Sequence, residues 1–332
     1  MSKTMQRKYV TEFALGYLNS YSSWTTAHQL MLGGKMEAKD QENLSKCHIY
    51  IIAARPAPYF KADTIKHSEG MLSGTIGYRI EGVEHEIPFE GYPWKLAEDA
   101  VKIECKYPFR EVISYNDKRE EITFVDASHM STIFLSEHYD GVEPLGSYQV
   151  LYVGQAFGQG NRSAPERLRS HSTLQKILAS TGRDYPDKEI AIFMYQFDND
   201  QVFTSMDGRA KGTDVSYKNE TRLINAMQNP PSKQQKIGMI EAALIRYFQP
   251  HYNEIFKIKF PSTKHKILKS CYDLDVTSLV VELDCTDLNY SMYSATVKPK
   301  SHHIAKIDLV ASQKRLSFFN ATGFVEMADV IK

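Results

Sequence analysis

The sequence predicts an α+β protein, a module of three strands flanked by helices between a β-rich N-terminal part and a β-rich C-terminal part. Three observations carry that expectation. Short runs of β-branched and aromatic residues, bounded by turn formers, fill residues 47–127 and return after 275. Between 128 and 256 the pattern changes to strand, strand, helix, strand, helix, helix. The last helix of that series then places a carboxylate on the stripe that should face the core.

That helix lies in KQQKIGMIEAALIRYFQPHYNE, residues 233–254. Ile237, Ile240, Leu244, Ile245 and Phe248 fall within an arc of roughly 140°, the buried stripe of an amphipathic helix. Glu241 sits near the middle of it. A carboxylate there is costly unless a cation or several donors meet it. Pro250 ends the helix, and His251, Tyr252 and Asn253 turn polar groups back toward its end.

Taken in order, residues 1–45 mix aromatic and polar side chains without a clean period and fit helix and strand equally. CHIYIIAA at 47–54 is a strong strand, ended by Pro56 and Pro58. GTIGYRIEG and HEIPFE, within 74–90, form a hairpin around Gly82. WKLAEDAVKIEC reads as a short helix, and REVISYND with EEITFVDA as a second hairpin turning at Asp117–Arg119. STIFLSEH (131–138) and SYQVLYVGQ (147–155) read as two strands separated by a turn-rich loop. A helix over 164–180 opens with Ser163 and Glu166 as a capping box and Pro165 in its first turn. A strand at 190–197 and the helix NETRLINAM follow, and TSLVVELDC, YSATV, HHIAKIDLV and RLSFF are strands of the last part. The expected divisions are a β-rich domain at 1–127, the mixed module at 128–256, and a region at 257–332 packed on the rest. No repeat or low-complexity linker separates them.

The helix over 164–180 carries a second charged face. Its apolar residues Leu174, Ile177 and Leu178 continue backward to His171 and Arg167. On the strand before it, Tyr152 shares a face with Tyr148 and Val150, and Gly154 permits close backbone approach just beyond. Each has a plain alternative. A strand tyrosine packs, and Arg167 with Glu241 could form a core ion pair and nothing more. An inward arginine, histidine and glutamate from separate elements of one small module look instead like an active site.

These residues together resemble the GIY-YIG nuclease superfamily. Tyr152-Val153-Gly154 matches the second signature tripeptide, and Gln155 follows it. Arg167 and His171 match the Arg-x-x-x-His pattern of restriction-endonuclease-like members, and IEAALIRYFQPHYN is very like the family's Glu helix and trailing Pro-x-Tyr-Asn. The resemblance covers about 128–256 and implies a three-stranded antiparallel sheet flanked by helices. The first tripeptide is not found on the strand before it. Thr132-Ile133-Phe134 is the nearest match, Phe134 has no hydroxyl, and Tyr148, His138 and Tyr139 are the candidates to stand in.

The resemblance implies metal-dependent hydrolysis of DNA phosphodiesters, with Mg²⁺ (or Mn²⁺) as cofactor. Glu241 would bind the metal, and Arg167 would clamp the scissile phosphate. Tyr152 and His171 would orient or deprotonate water, and Asn253 would hold Glu241 or a phosphate oxygen. Restriction and mobile-element contexts both fit, with flanking parts free to supply recognition or a homodimer. A catalytically degenerate nucleic-acid binder is the alternative, motivated by Phe134.

Composition bounds the rest. The 40 basic and 40 acidic side chains cancel, so a DNA partner must be held by a local patch. Arg162, Arg169, Lys176 and Arg183 around one helix are the candidates. Cys47, Cys105, Cys271 and Cys285 show no zinc or disulfide spacing and read as reduced thiols of a cytoplasmic protein. No apolar stretch is long enough for a membrane span, and no signal-peptide pattern opens the chain.

Overall fold

Apolar runs too short for helices become strands throughout the chain. The computed structural model describes residues 7–33, 37–156, 168, 171–208, 211–310, 315 and 317–320. Sixteen strands form among them, in a mixed α+β fold. One sheet holds β2 (Tyr21–Thr26), β3 (Ile49–Pro56), β11 (Ser147–Gln155), β12 (Lys188–Gln196) and β15 (Ser291–Tyr293), in the order β15-β11-β3-β12-β2. β3 is central and antiparallel to both β11 and β12. Its residues Ile49–Arg55 are all buried because both faces of the sheet are covered. A second sheet has the order β13-β1-β14-β16, from β1 (Thr11–Leu18), β13 (Asn199–Met206), β14 (Ser278–Asp284) and β16 (His302–Asp308).

The helix Lys233–Phe248 lies between these sheets. It packs on β3 and β11 of the first and on β14 and β16 of the second. Being covered twice, it buries Gly238, Met239, Ala242 and Ala243 as well as Ile237, Ile240, Leu244, Ile245 and Phe248. The single apolar stripe expected from the sequence is therefore too narrow a description. Ser232 caps the helix through a capping box with Gln235, and Gln249 ends it in the left-handed region at φ 47°. On the opposite face of the first sheet, the helices Ala27–Leu32, Ala38–Lys46 and Ser172–Asp184 cover Tyr50, Ile52, Ile192 and Met194.

Between β3 and β11 the chain leaves this framework and builds a separate unit. It contains β4 (Tyr59–Phe60), β5 (Lys66–Ser68), β6 (Met71–Ile80), β7 (Val83–Pro93), β8 (Lys102–Glu104), β9 (Glu111–Tyr115) and β10 (Glu121–Asp126). Its core is its own, centred on Phe60, Leu72, Ile76, Phe89, Met130 and Phe134. The expected hairpin around Gly82 is β6–β7, whose Glu81 and Gly82 both take positive φ, 51° and 81°. The second expected hairpin is β9–β10.

Three expectations are corrected. The sheets cross the boundary drawn at 127/128: β1, β2 and β3 pair with strands from the later parts, and residues 57–146 are an insertion into that framework. The segment 131–138 is no strand but part of the helix Ala127–Ser136. Asp126 caps that helix by accepting from the His129 N–H, and Ala127, Met130, Ser131 and Phe134 are buried at helical spacing. A window opening at Ser131 leaves out the cap and starts on the β-branched pair Thr132-Ile133. Finally, 94–105 forms no helix. Its last part pairs as β8 with β9, so ladder bonds with a neighbour outweigh a weak local preference.

One buried histidine makes stability depend on pH. His303 of β16 lies against the rings of Tyr247 and Phe248, and the Tyr247 hydroxyl meets its Nδ1 at 3.2 Å. Burial lowers its pKa to about 4 from an ordinary 6.5, with the nearby charges of Lys300 and His302 adding to the shift. Below pH 6.5 the unfolded chain takes up a proton that the folded chain refuses. Stability is thus full above about 6.5 and falls between about 6.5 and 4, by up to about 3 kcal/mol. Urea unfolding at several pH values should show that fall, and His303→Gln should flatten its share of it.

Candidate functional site

β3 and β11 build the site. They run antiparallel with Tyr50 opposite Gly154. A Cβ at position 154 would lie 2.6 Å from the Tyr50 hydroxyl, so only glycine lets that phenol cross the strand. A β-bulge at Leu151, where the register shifts between Val150 and Tyr152, breaks the alternation of β11. Tyr148 and Val150 face the core beside the Lys233–Phe248 helix, whereas Tyr152 packs on the opposite face with Tyr50. The expectation that Tyr148, Val150 and Tyr152 share a face fails for this reason. The bulge is what aims Tyr152.

Tyr50, Tyr152 and His171 form one cluster. The Tyr50 and Tyr152 rings are 6.1 Å apart, and His171 lies 5.9 Å from the first and 5.6 Å from the second. The Tyr50 hydroxyl is 3.2 Å from His171 Nε2, with the direction of the proton set by the tautomer. His171 does not lie inside a helix as expected. It is the extended residue, ψ 115°, just before Ser172–Asp184.

Asn253 is tied to the same strand. Its side-chain N–H₂ donates to the Val153 carbonyl at 2.8 Å, and its side-chain oxygen accepts from the Val153 N–H at 2.9 Å. Next to it, the Tyr252 N–H donates to the Leu151 carbonyl at 3.1 Å. The amide thus holds β11 through both of its polar atoms. Glu241 is half-buried on the Lys233–Phe248 helix, which packs on the face of the sheet that carries Tyr148 and Val150, the face opposite to Tyr50, Tyr152 and His171.

Arg162, Arg167 and Arg169 lie outside the described residues. Lys176 is exposed, with its ammonium 5.9 Å from the Tyr252 ring centre, and Arg183 is exposed beside Asp184 at the far end of its helix. None of the three candidates to replace a first tyrosine joins the cluster. Tyr148 is buried against Arg55, Phe193 and Tyr290, and burial pushes its phenol up to about 12. Tyr139 stacks on Phe134 within the inserted unit, where His138 is an exposed turn residue at φ 58°.

Sequence reading passed over Tyr50. It stands in His48-Ile49-Tyr50, at the third place of a tripeptide on a strand already recognised as strong. The signal was missed because the strand was sought next to 147–155, whereas its spatial neighbour lies about a hundred residues earlier.

A different donor group stands on the outer sheet. Glu282, Asp284 and His302 bring donor atoms within 4.8 Å of one another. Asp284 faces His302 across the β14–β16 ladder and accepts from the Thr286 N–H and hydroxyl, while His302 Nε2 bonds to Glu282, so the three donor groups already hold hydrogen bonds within the chain. No helix among the described residues is long and apolar enough to cross a membrane. No family model, curated protein or solved structure matches the chain.

Proposed function

We propose that the chain is a metal-dependent DNA endonuclease of the GIY-YIG type, with Tyr50 in the place of the first signature tyrosine and Tyr152 in that of the second. The observation that carries this reading is their placement on adjacent antiparallel strands, with His171 bonded to the first. On this reading the two signature strands are separated by the inserted unit at 57–146.

Hydrolysis joins a water oxygen to phosphorus and breaks a P–O ester bond, so one proton must leave the water and one, supplied by solvent, must reach the leaving oxygen. His171, half-buried and bonded to the buried Tyr50 hydroxyl that orients it, can take the first proton, since imidazole exchanges protons near neutral pH. Tyr152, on the same face, orients the water. Arg167 clamps the phosphate through a planar fork that lysine could not copy. Asn253 positions rather than reacts, fixing β11 relative to the helix of Glu241. Mg²⁺ keeps several waters and takes one or two carboxylates, and a single half-buried glutamate suits that demand. Glu241 would hold the ion, which when bound supplies charge neutralisation at the phosphate and the leaving oxygen. The degenerate-binder alternative loses its motive once Tyr50 takes the place that Phe134 could not fill.

Supercoiled, linear and single-stranded DNA incubated with Mg²⁺ or EDTA tests the reading. Wild type is expected to nick or cut only with metal, and Tyr50→Phe to be slower by about 10²-fold or more. That variant keeps the ring and loses the hydroxyl's bond to His171, so a melt should fall by a few degrees at most. Failure of the wild type to cleave any of these DNA forms with Mg²⁺ or Mn²⁺ sinks the proposal.

A further inference from the structure

The loop after Asn253 is strongly basic. Residues 255–272 include Lys257, Lys259, Lys264, Lys266 and Lys269 and no aspartate or glutamate. Overall neutrality hides a division of charge along the chain. Residues 57–146 hold 17 acidic against 9 basic side chains, a net of −8, which leaves +8 on the remainder. A polyanion is repelled by the inserted unit and drawn to the framework that carries the site.

The loop is also preformed. Phe260 is buried, with the His265 ring stacked on it at 5.6 Å, and the Phe256 ring meets both edge-on at 5.6 and 5.2 Å. This aromatic pin occupies the inside of the loop, and Lys259, Lys264, Lys266 and Lys269 are exposed outside. Arg246, on the helix of Glu241, donates to the Lys257 carbonyl at 3.0 Å and ties the loop to that helix. Lys257 follows Asn253 by four residues, so their Cα atoms are at most about 14 Å apart. A duplex carries a phosphate about every 3.4 Å of axis on each strand, so DNA held at the site reaches the loop within a few nucleotides.

We propose that residues 255–269 form a clamp for the phosphate backbone of DNA, outside the patch around 162–183. The choice of DNA as the polyanion rests on the nuclease reading above. Lysine contacts of this kind add affinity without reading sequence, and they do so by releasing counterions. Ile255 and Ile258, 71% and 76% exposed among these lysines, would also suit an anionic membrane surface, which the test separates.

The experiment measures binding of a fluorescent DNA duplex to the full chain over a salt series, in EDTA. It compares wild type with the double variants Lys259→Gln/Lys264→Gln and Lys259→Arg/Lys264→Arg. The glutamine pair should weaken binding about sixtyfold near 0.1 M salt and lower the salt slope by about two, with the arginine pair close to wild type. Equal affinity and slope for wild type and the glutamine pair would overturn the clamp. So would loss of binding to phosphatidylserine vesicles with DNA affinity unchanged, which assigns the loop to a membrane surface. Cleavage fails separately: loop-dependent DNA binding without any cleavage refutes the nuclease and keeps the clamp. Metal-dependent cleavage with loop-independent binding does the reverse.

Discussion

Glu241→Ala is expected to abolish metal-dependent cleavage, by about a thousandfold or more, in a protein that stays folded. The residue is a half-buried carboxylate on a helix whose other inward positions are Ile, Leu, Ala, Met, Gly and Phe. Alanine is at least as good a helix former, so the helix keeps its local propensity on substitution. A carboxylate kept in such surroundings for catalysis is a feature whose removal leaves stability unchanged or raised. A structural ion pair behaves oppositely, since removing one partner costs roughly 3–5 kcal/mol. Plasmid cleavage and a thermal melt on the same preparation separate the two. A large drop in melting temperature with cleavage unaffected would assign Glu241 to the core and end the proposal that it binds a metal.

Arg55→Met should destabilise the junction between the inserted unit and the framework by about 3–5 kcal/mol. Arg55 is 1% exposed at the end of β3, just before the chain departs. Its Nε donates to the Glu189 carboxylate at 2.6 Å, Nη1 to the Leu145 carbonyl at 2.7 Å, and Nη2 to the Ser128 carbonyl at 3.1 Å. Ser128 Oγ donates to the other oxygen of Glu189 at 2.6 Å. One guanidinium therefore joins β3, β12 and both ends of the segment that returns to β11. Methionine fills similar volume but takes one donor from each of two carbonyls, of which Ser128 keeps the Ser131 hydroxyl, and leaves Glu189 without its cation. Limited proteolysis should cut the variant first within 57–146, and urea unfolding should show an earlier transition. Protease resistance equal to wild type would mean that the junction is held by its apolar contacts alone. Because Tyr50 and Gly154 lie at the other end of β3 and β11, the variant should retain cleavage at permissive temperature.

Much of the local structure was readable. The hairpin at Gly82, the strands β3, β11 and β12, the Glu241 helix and its stop before Pro250 all follow from periodicity and turn chemistry. Glu241 stands out by spacing alone, whereas Tyr152 and Asn253 enter as site residues through the family resemblance, and the Asn253 side chain bonds to the strand of Tyr152. The choice of Phe134, Tyr148, His138 and Tyr139 around a missing tyrosine came from assuming that neighbours in space are neighbours in sequence. β-pairing carries no such rule once an insertion separates two strands, and nothing within CHIYIIAA announces its partner.

Residue order alone specifies the elements and the chemical types available: strands from short apolar runs, an amphipathic helix from apolar spacing, and a carboxylate set where carboxylates are costly. Only the tertiary structure decided three further things. It placed Tyr50 beside His171, because a long-range ladder chose β3 as the partner of β11. It turned Tyr152 toward them through a bulge of one residue, which reverses every side chain beyond it. It also set the limits of the inserted unit, and with them the division of a neutral chain into an acidic unit and a basic framework. Spacing along the chain encodes local periods of two and 3.6 residues. Contacts across a hundred residues are decided by which packed arrangement buries the most apolar surface with its polar groups satisfied.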